Sequence, residues 1–538
     1  MIHFRFASPA QIRGALRALG VAICAISLAA GAIAAPLAAV AFNPTVTEAA
    51  VDPDLYAAIQ PRYRDEIRRA AGRLPVYRIA AEVEPANPER PLRIVGHLTL
   101  DYVHTDLEPQ RAMVLRLYPN APAYGAGSMT VSHLAVNGRS VATRVSVEDT
   151  VLHVPLDPPL AAGQAAKLAL DFVTTVPVDS GAGFGIFSVT PATRSVLAGH
   201  WHPLLAGRDY DGWALDPVSR NGDVIFTDVA LYDISLTVPN GLRPVVSGQE
   251  IARAPIAGAT RHQYITGPAR GAALALDDDW VPTELEIGGV RVVSYAAPDD
   301  AAGSIRIARD AAAALRIFGD RFGPYPYRTL SIVQMNLHGA TGMEFPQMIA
   351  IGARLYDEPP GDEPRYAEMV VAHEIAHQWW FGLVGNNQYQ NAFLDEGLAE
   401  FSAAYLYFRD RYGEEVAQTQ MDREVRDWYL NRLSGPGDVT VASPTDAFPD
   451  RAAYAVAAYP KAALGFDAIR QHIGDVAFYA ALRAYAADRQ FTVAEPDDLR
   501  RAFADACRCA IASEWDHWFV EQNGADDFAQ PDSNLPES

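Results

Sequence analysis

The sequence is short of cysteine, of lysine and, beyond its first few dozen residues, of long apolar runs. Its 538 residues contain only Cys24, Cys507 and Cys509. With no CxxC and no second pair outside the leader, neither a disulfide framework nor a cysteine zinc site can be built. Cys507 and Cys509 stand one residue apart, which leaves a local bridge or two free thiols open. Lysine occurs twice, at Lys167 and Lys461, and arginine supplies every other permanent positive charge. Positive charge is itself in deficit, with 44 basic side chains against 65 acidic ones and a net charge of −21. Without the three arginines of the leader the remainder carries −24, which argues against nucleic acid as a partner.

The one long apolar run covers 18–42 and follows Arg5, Arg13 and Arg17, the pattern of an export signal. Ala39-Val40-Ala41 offers the small-x-small site of a signal peptidase, and cleavage there would start the mature chain at Phe42. Left uncut, the run is long enough to span a bilayer. The expectation is therefore an exported protein, periplasmic or extracellular, either free or held to the membrane by this segment. Ile23 before Cys24 speaks against a lipoprotein.

The rest is globular in composition, with 49% apolar and 10% aromatic residues, and too long for a single core. Residues 52–73 suggest a short polar helix within a lead-in over 42–75. From 76 to 287 apolar and polar residues alternate, as in Leu98, Leu100 and Tyr102 against Thr99 and Asp101, or Ile234, Leu236 and Val238 against Ser235 and Thr237. Asn137-Gly138 and Asn240-Gly241 punctuate these runs as turns, so a β-sandwich is expected over this stretch. After Gly288-Gly289 the period changes. Strands at 290–295 and 329–334 flank a helix at 299–318, and helices are expected at 365–381, 391–412, 415–433, 460–473, 475–488 and 496–506. The Gly-, Pro- and Asp-rich stretch 434–450 is a long loop. A second domain thus covers 288–525, with a disordered acidic tail over 526–538.

Chemistry concentrates in His373-Glu374-Ile375-Ala376-His377. Histidines at i and i+4 project from one helix face, so both imidazoles can reach one metal ion, while Glu374 stands beside the water such an ion polarises. Glu396 follows His377 after eighteen residues, enough for a helix end, a turn and a return, and can supply a third ligand that leaves the fourth position open. Glu400, one turn later, is placed to accept the other ring N–H of a ligating histidine. Asp395 points about 100° away from Glu396 and is expected to cap or pair locally.

His373-Glu-Ile-Ala-His-Gln-Trp-Trp-Phe-Gly followed by Leu-Asp-Glu396-Gly-Leu-Ala-Glu resembles the gluzincin aminopeptidases, the family of membrane alanyl aminopeptidase and leukotriene-hydrolysing aminopeptidase. Gly342-Met343-Glu344 matches that family's Gly-x-Met-Glu-Asn strand, Phe322 to Tyr327 its approach to the strand, and Tyr459-Pro460-Lys461-Ala462-Ala463 its Tyr-x-Lys-Gly-Ala. The resemblance implies an N-terminal β-sandwich followed by a thermolysin-like, mostly helical catalytic domain, without the family's large C-terminal helical domain and so with a more open cleft. It implies one zinc ion per chain on His373, His377 and Glu396, Glu374 as general base, and Tyr459 as donor to the tetrahedral oxyanion. Glu344, on the Gly342 strand, would bind the free α-amine of a peptide or protein substrate. Phe345 in place of the family asparagine, with Gln347 after it, leaves that amine role beside a purely structural one, and hence an endopeptidase, or a catalytically silent scaffold, beside an aminopeptidase.

Three further features have plainer readings. Tyr454 competes with Tyr459, but five residues apart on a helix the two should face different ways. His200-Trp201-His202 has metal-binding spacing without a third ligand and is expected to be structural or to line the cleft. Trp379 and Trp380 are expected in the core and cleft wall.

Overall fold

The computed structural model describes residues 54–528, apart from 87–90, 182, 210–211, 223–224, 360 and 362–363. The expected leader, the expected cleavage site and most of the expected tail lie outside the described residues. No helix among the described residues is long and apolar enough to cross a membrane. Of the polar helix expected at 52–73, the structure shows Arg64–Ala71. The preceding residues are held by the catalytic half instead: Ile59 bridges Tyr327, and Gln60 Nε2 donates to the carbonyls of Tyr325 and Tyr327.

The alternating region forms an eight-stranded sheet in the order Gln249–Ile256, Ala259–Ala269, Ala230–Pro239, Val76–Glu84, Leu92–Val103, Ala165–Val176, Ser128–Val136, Arg139–Ser140. All its neighbours are antiparallel except Val76–Glu84 beside Ala230–Pro239. Leu98, Leu100, Ile234, Leu236 and Val238 are buried as their alternation predicts. They share one core with side chains of two four-stranded sheets built from Gln110–Arg116, Val151–Leu160, Val196–Ala198, Leu274–Asp277 and shorter strands. Asn137 (φ 50°) and Gly138 (φ 77°) close their hairpin with both residues left-handed, as a two-residue turn between twisted strands requires.

A five-stranded sheet follows, in the order Val281–Ile287, Val290–Ala296, Thr329–Met335, Met348–Gly352, Gly342–Met343. This corrects the expected junction at Gly288-Gly289. Those glycines (φ 59° and 82°) are a hairpin turn inside this sheet, and the strand before them, assigned above to the sandwich, pairs with Val290–Ala296. Both faces are buried along Thr329–Met335, Met348–Gly352 and Gly342–Met343, whereas the edge strand Val281–Ile287 is exposed or half-buried. Leu330, Ile332, Ile349 and Ile351 face the helices, whereas Val333, Met335, Met348 and Ala350 continue the sandwich core.

The helical half runs from Tyr366 onward. Helices Glu396–Phe401 and Phe408–Tyr412 are joined through the π-helical Ser402–Tyr407, and Arg451–Val456 joins Ala462–Ile473 through the π-helical Ala457–Lys461. The last of these helices therefore starts well before the expected residue 460 and carries Pro460 within it. A short helix at Ala512–Trp515, continued by Asp516–Val520, was not foreseen. Cys507 and Cys509 are joined by a disulfide. The expected architecture, a β-sandwich followed by a mostly helical domain, is borne out.

Candidate active site

Every residue of Tyr366–Ala376 from Ala367 to Ala376 is buried, because the five-stranded sheet, helix Ala301–Phe322 and the helix after Glu396 surround it. Polar side chains on such a helix must be satisfied internally. His373 and His377 stand one turn apart with their Nε2 atoms at 3.0 Å. Glu396 Oε2 lies 3.3 Å from His373 Nε2 and 3.2 Å from His377 Nε2. The Asp395 carboxylate accepts the Glu396 N–H at 3.0 Å, capping the short helix that delivers Glu396.

The far side of each imidazole is also engaged. His373 Nδ1 is 3.0 Å from Glu400 Oε2, and His377 Nδ1 is 3.0 Å from the Trp380 carbonyl. Acceptors at both Nδ1 atoms place the protons there, which turns both Nε2 lone pairs toward each other and toward a carboxylate. Such a cluster calls for a cation. Burial works to lower the His377 pKa, but Glu396 and Glu344 outweigh it and hold it at about 9. Burial would raise that of Glu396, yet the two histidines bring it well below the ordinary carboxylate range. Two imidazoles, one carboxylate and carboxylate support behind a ring nitrogen form a donor set that suits zinc.

Glu374 is buried beside this cluster, and its Oε2 has no hydrogen-bond partner among the described residues. Burial pushes its pKa up to about 8, with the histidines opposing and Glu344 and Glu396 adding to the rise. The edge strand Gly342–Met343 lies against it so closely that a Cβ on Gly342 would stand 2.1 Å from Glu374 Oε1. The glycine is what lets strand and carboxylate share this space.

Tyr459 donates its hydroxyl proton to Glu396 Oε1 at 2.7 Å, and its ring stacks on His373 at 5.8 Å. Tyr454 does not face elsewhere: its ring meets Tyr459 edge-on at 6.4 Å. The reason is the π-helical segment Ala457–Lys461, whose wider turn carries residues five apart to one side. Tyr454 in turn abuts Gly222 of the sandwich, where a Cβ would lie 2.5 Å from its hydroxyl. Lys461 is buried without exposure and pairs with Asp438 at 3.0 Å while donating to the carbonyls of Val439 and Glu521. It ties the long loop and the end of the turn Asp516–Val520 to the tyrosine's helix.

Carboxylate oxygens of Glu344 and Glu374 and a ring nitrogen of His377 fall within 4.8 Å of one another, so Glu344 borders the cluster. Phe345 turns away and fills the sandwich core against Gly199 and the His200 ring. Gln378, next to the second histidine, accepts the Gln347 N–H at 2.8 Å and donates to the Phe345 carbonyl at 3.2 Å, clamping this turn to the end of helix Tyr366–Ala376. His200 and His202 are buried among Tyr118, Tyr124, Tyr77 and Tyr232, neither belongs to a group of three potential metal ligands among the described residues, and burial pushes their pKa values down to about 3 and 4. Trp379 and Trp380 are core residues whose indole N–H groups donate to the Gly323 carbonyl and Ser402 Oγ.

Several residues of this region were not singled out from sequence. Gln378 carries no periodic signal. Neither does Arg270, which donates to the carbonyls of Phe381, Thr227 and Thr492 and so bolts the sandwich to the turn after His377. Gln388 lies in an Asn- and Gln-rich turn, with its amide between Asp395 and Glu344.

Residues 308–518 match the peptidase family M1 domain, so the family resemblance is borne out for the catalytic half. Aminopeptidase M1-B of Oryza sativa subsp. japonica is 30% identical over 195 residues, which cover 34% of this chain and 22% of that protein. Membrane alanyl aminopeptidase of Manduca sexta is 30% identical over 156 residues, 27% of this chain and 15% of that protein. The matched stretch thus spans about a fifth of the length of these curated relatives. The crystal structure of an M1 zinc metallopeptidase from Deinococcus radiodurans superposes with a TM-score of 0.59 at 20% identity, over 87% of this chain and 97% of that one. A mutant of that enzyme bound to a Tyr-Ser-Ala substrate gives 0.60 at 19% identity, over 86% and 96%. At such identity the likeness establishes the fold.

Proposed function

We propose that the chain is a zinc aminopeptidase that removes N-terminal residues from peptides. The observation that carries this reading is the buried, unpartnered Oε2 of Glu374 beside a donor set of two Nε2 atoms and one carboxylate. His373, His377 and Glu396 would hold the zinc, and Glu400 and the Trp380 carbonyl would fix the ring orientations. Zinc bound there supplies Lewis acidity, polarising a scissile carbonyl and making water a better acid.

This chain's own groups do the rest. Glu374, held with a raised pKa by burial, takes a proton from the attacking water and returns it to the leaving amine. Gly342 keeps the approach to that carboxylate open. The Tyr459 hydroxyl, resting on Glu396 Oε1, is the donor that can turn to the oxyanion as charge develops. Glu344 holds the substrate's α-ammonium by a charge-assisted hydrogen bond, which sets the register so that the first peptide bond meets Glu374. The Tyr-Ser-Ala substrate of the structural neighbour, a tripeptide, supports this substrate class.

Metal analysis and kinetics test the reading. One zinc per chain is expected, with activity lost on chelation and restored by zinc. Glu374→Gln should keep the metal and lose about 10²- to 10⁴-fold in kcat. An alanyl anilide should be cleaved and its N-acetyl derivative spared; equal rates on both would leave an endopeptidase of the same mechanism, and activity indifferent to Glu374→Gln would leave a binding scaffold.

We further infer export, with a membrane tether where the leader is retained, from the basic stretch and the apolar run 18–42. Protein recovered from cells with an N-terminus at Phe42 would support cleavage, and an intact leader in the membrane fraction would support the tether.

A further inference from the structure

Gln388 occupies a junction that the proposed chemistry does not use. Its side chain is buried, and its carboxamide oxygen accepts the backbone N–H of Ile225, from the sandwich, at 3.1 Å. A backbone N–H can only donate, so the amide orientation is settled and the nitrogen must face the opposite way. There it donates to Asp395 Oδ2 at 2.6 Å and to Glu344 Oε1 at 3.4 Å. Asp395 Oδ1 meanwhile accepts from Asn386 Nδ2 and from the Glu396 N–H, both at 3.0 Å. The Gln388 backbone is pinned as well: its carbonyl accepts from Thr445 Oγ1, and Asn387 caps its helix.

Among the described residues Gln388 is the one side chain that donates a hydrogen bond to Glu344. The residue type matters. An amide nitrogen carries two protons and no charge, so it can hold two carboxylates at once and leave the negative charge of each intact. An arginine or lysine there would neutralise Glu344 and compete with the incoming ammonium, and a carboxylate would repel it. We propose that Gln388 is a positioning residue for amine recognition, orienting the Glu344 carboxylate toward the substrate's free α-ammonium while preserving its charge and anchoring it to the sandwich through Ile225. This rests on the reading of Glu344 as the amine-binding group.

The test uses the zinc-loaded full chain and four proteins: the parent, Gln388→Met, Glu344→Gln and the double variant. Methionine keeps length and apolar bulk and removes both donors. For an alanyl anilide, Gln388→Met should raise KM about tenfold with kcat within about threefold and zinc content unchanged. Calorimetric binding of alaninamide should weaken by the same factor. In the Glu344→Gln background, Gln388→Met should add nothing further to KM, an outcome a merely structural role would not produce. Should the methionine variant not fold, Gln388→Asn carries the same prediction, since it remains an uncharged amide but is one methylene too short to reach both Ile225 and Glu344. An unchanged KM, a loss confined to kcat, or equal effects in both backgrounds would overturn the proposal. If Glu344→Gln itself leaves KM and the preference over the N-acetyl substrate untouched, the amine-site reading fails; if only the Gln388 variants are silent, the positioning role alone fails.

Discussion

A methyl group at Gly342 probes how tightly the strand and the proposed base are fitted. The Cβ of Gly342→Ala would stand 2.1 Å from Glu374 Oε1, 2.4 Å from Cδ and 2.5 Å from Cγ, so no rotation of the carboxyl alone removes the clash. Ordinary contact begins near 3.4 Å, so the carboxylate or the strand must give by about 1.3 Å. The strand is tied to its neighbour through the pairing of Gly342 with Ile351, and the Gly352 N–H donates to the Thr341 carbonyl at 2.9 Å. The helix bearing Glu374 is buried on all sides. The side chain is therefore the softest element, and it can only swing away from the space where water and substrate meet. A misplacement of about 1 Å at a reacting group costs on the order of 10²-fold, and complete loss of a general base 10²- to 10⁴-fold. Gly342→Ala is thus expected to lose about 10²-fold or more in kcat on an alanyl anilide. Zinc should stay at one per chain by mass spectrometry, because the three atoms nearest the new methyl all belong to Glu374 and none to the proposed ligands. Gly319→Ala, on a helix with open space around the new methyl, is the matched control and should leave kcat unchanged. A Gly342→Ala protein with kcat within threefold of the parent would refute the fit.

Other perturbations separate the remaining roles. Glu400→Ala removes the acceptor of His373 Nδ1 and should weaken zinc binding about 10- to 100-fold in a chelator competition; undiminished affinity would show that the carboxylate does not support the ligand. Tyr459→Phe should cost about 10²- to 10³-fold in kcat with little change in KM, as expected for a donor used only at the oxyanion, and a pure KM effect would reassign the tyrosine to ground-state binding. Lys461→Met leaves Asp438 buried without its cation and should lower unfolding stability by about 3 to 5 kcal/mol in a urea titration. A loss below about 1 kcal/mol would mean that the long loop is held by its other contacts.

The candidate metal centre was legible because its information is local and periodic. His373 and His377 share a helix face at a spacing that depends only on helix geometry, and Glu400 repeats that spacing after Glu396. The strands of the sandwich were legible for the same reason, through alternation of burial. Where local geometry departed from the rule, the reading failed. Tyr454 and Tyr459 were set apart by counting 100° per residue, and a π-helical turn between them brings their rings together. Gly288-Gly289 looked like a junction because a left-handed two-residue turn and a linker draw on the same residues, and only strand pairing tells them apart.

What no spacing rule reaches is the layer that joins distant segments by single amides. Gln388 links partners 163, 44 and 7 residues away, at Ile225, Glu344 and Asp395, and nothing periodic relates those separations. Gln378 and Arg270 act in the same way on the turns beside the metal helix. Phe345 shows how this layer bears on function. From sequence it weakened the amine-binding role of its neighbour, as a departure at the residue after Glu344. In the fold its ring packs into the sandwich core beside Gly199, while Glu344 borders the metal cluster. The substitution therefore changes how the strand is anchored to the sandwich and leaves the carboxylate beside His377 and Glu374, where the proposed amine recognition needs it. Its orientation passes instead to an amide that the sandwich itself holds in place.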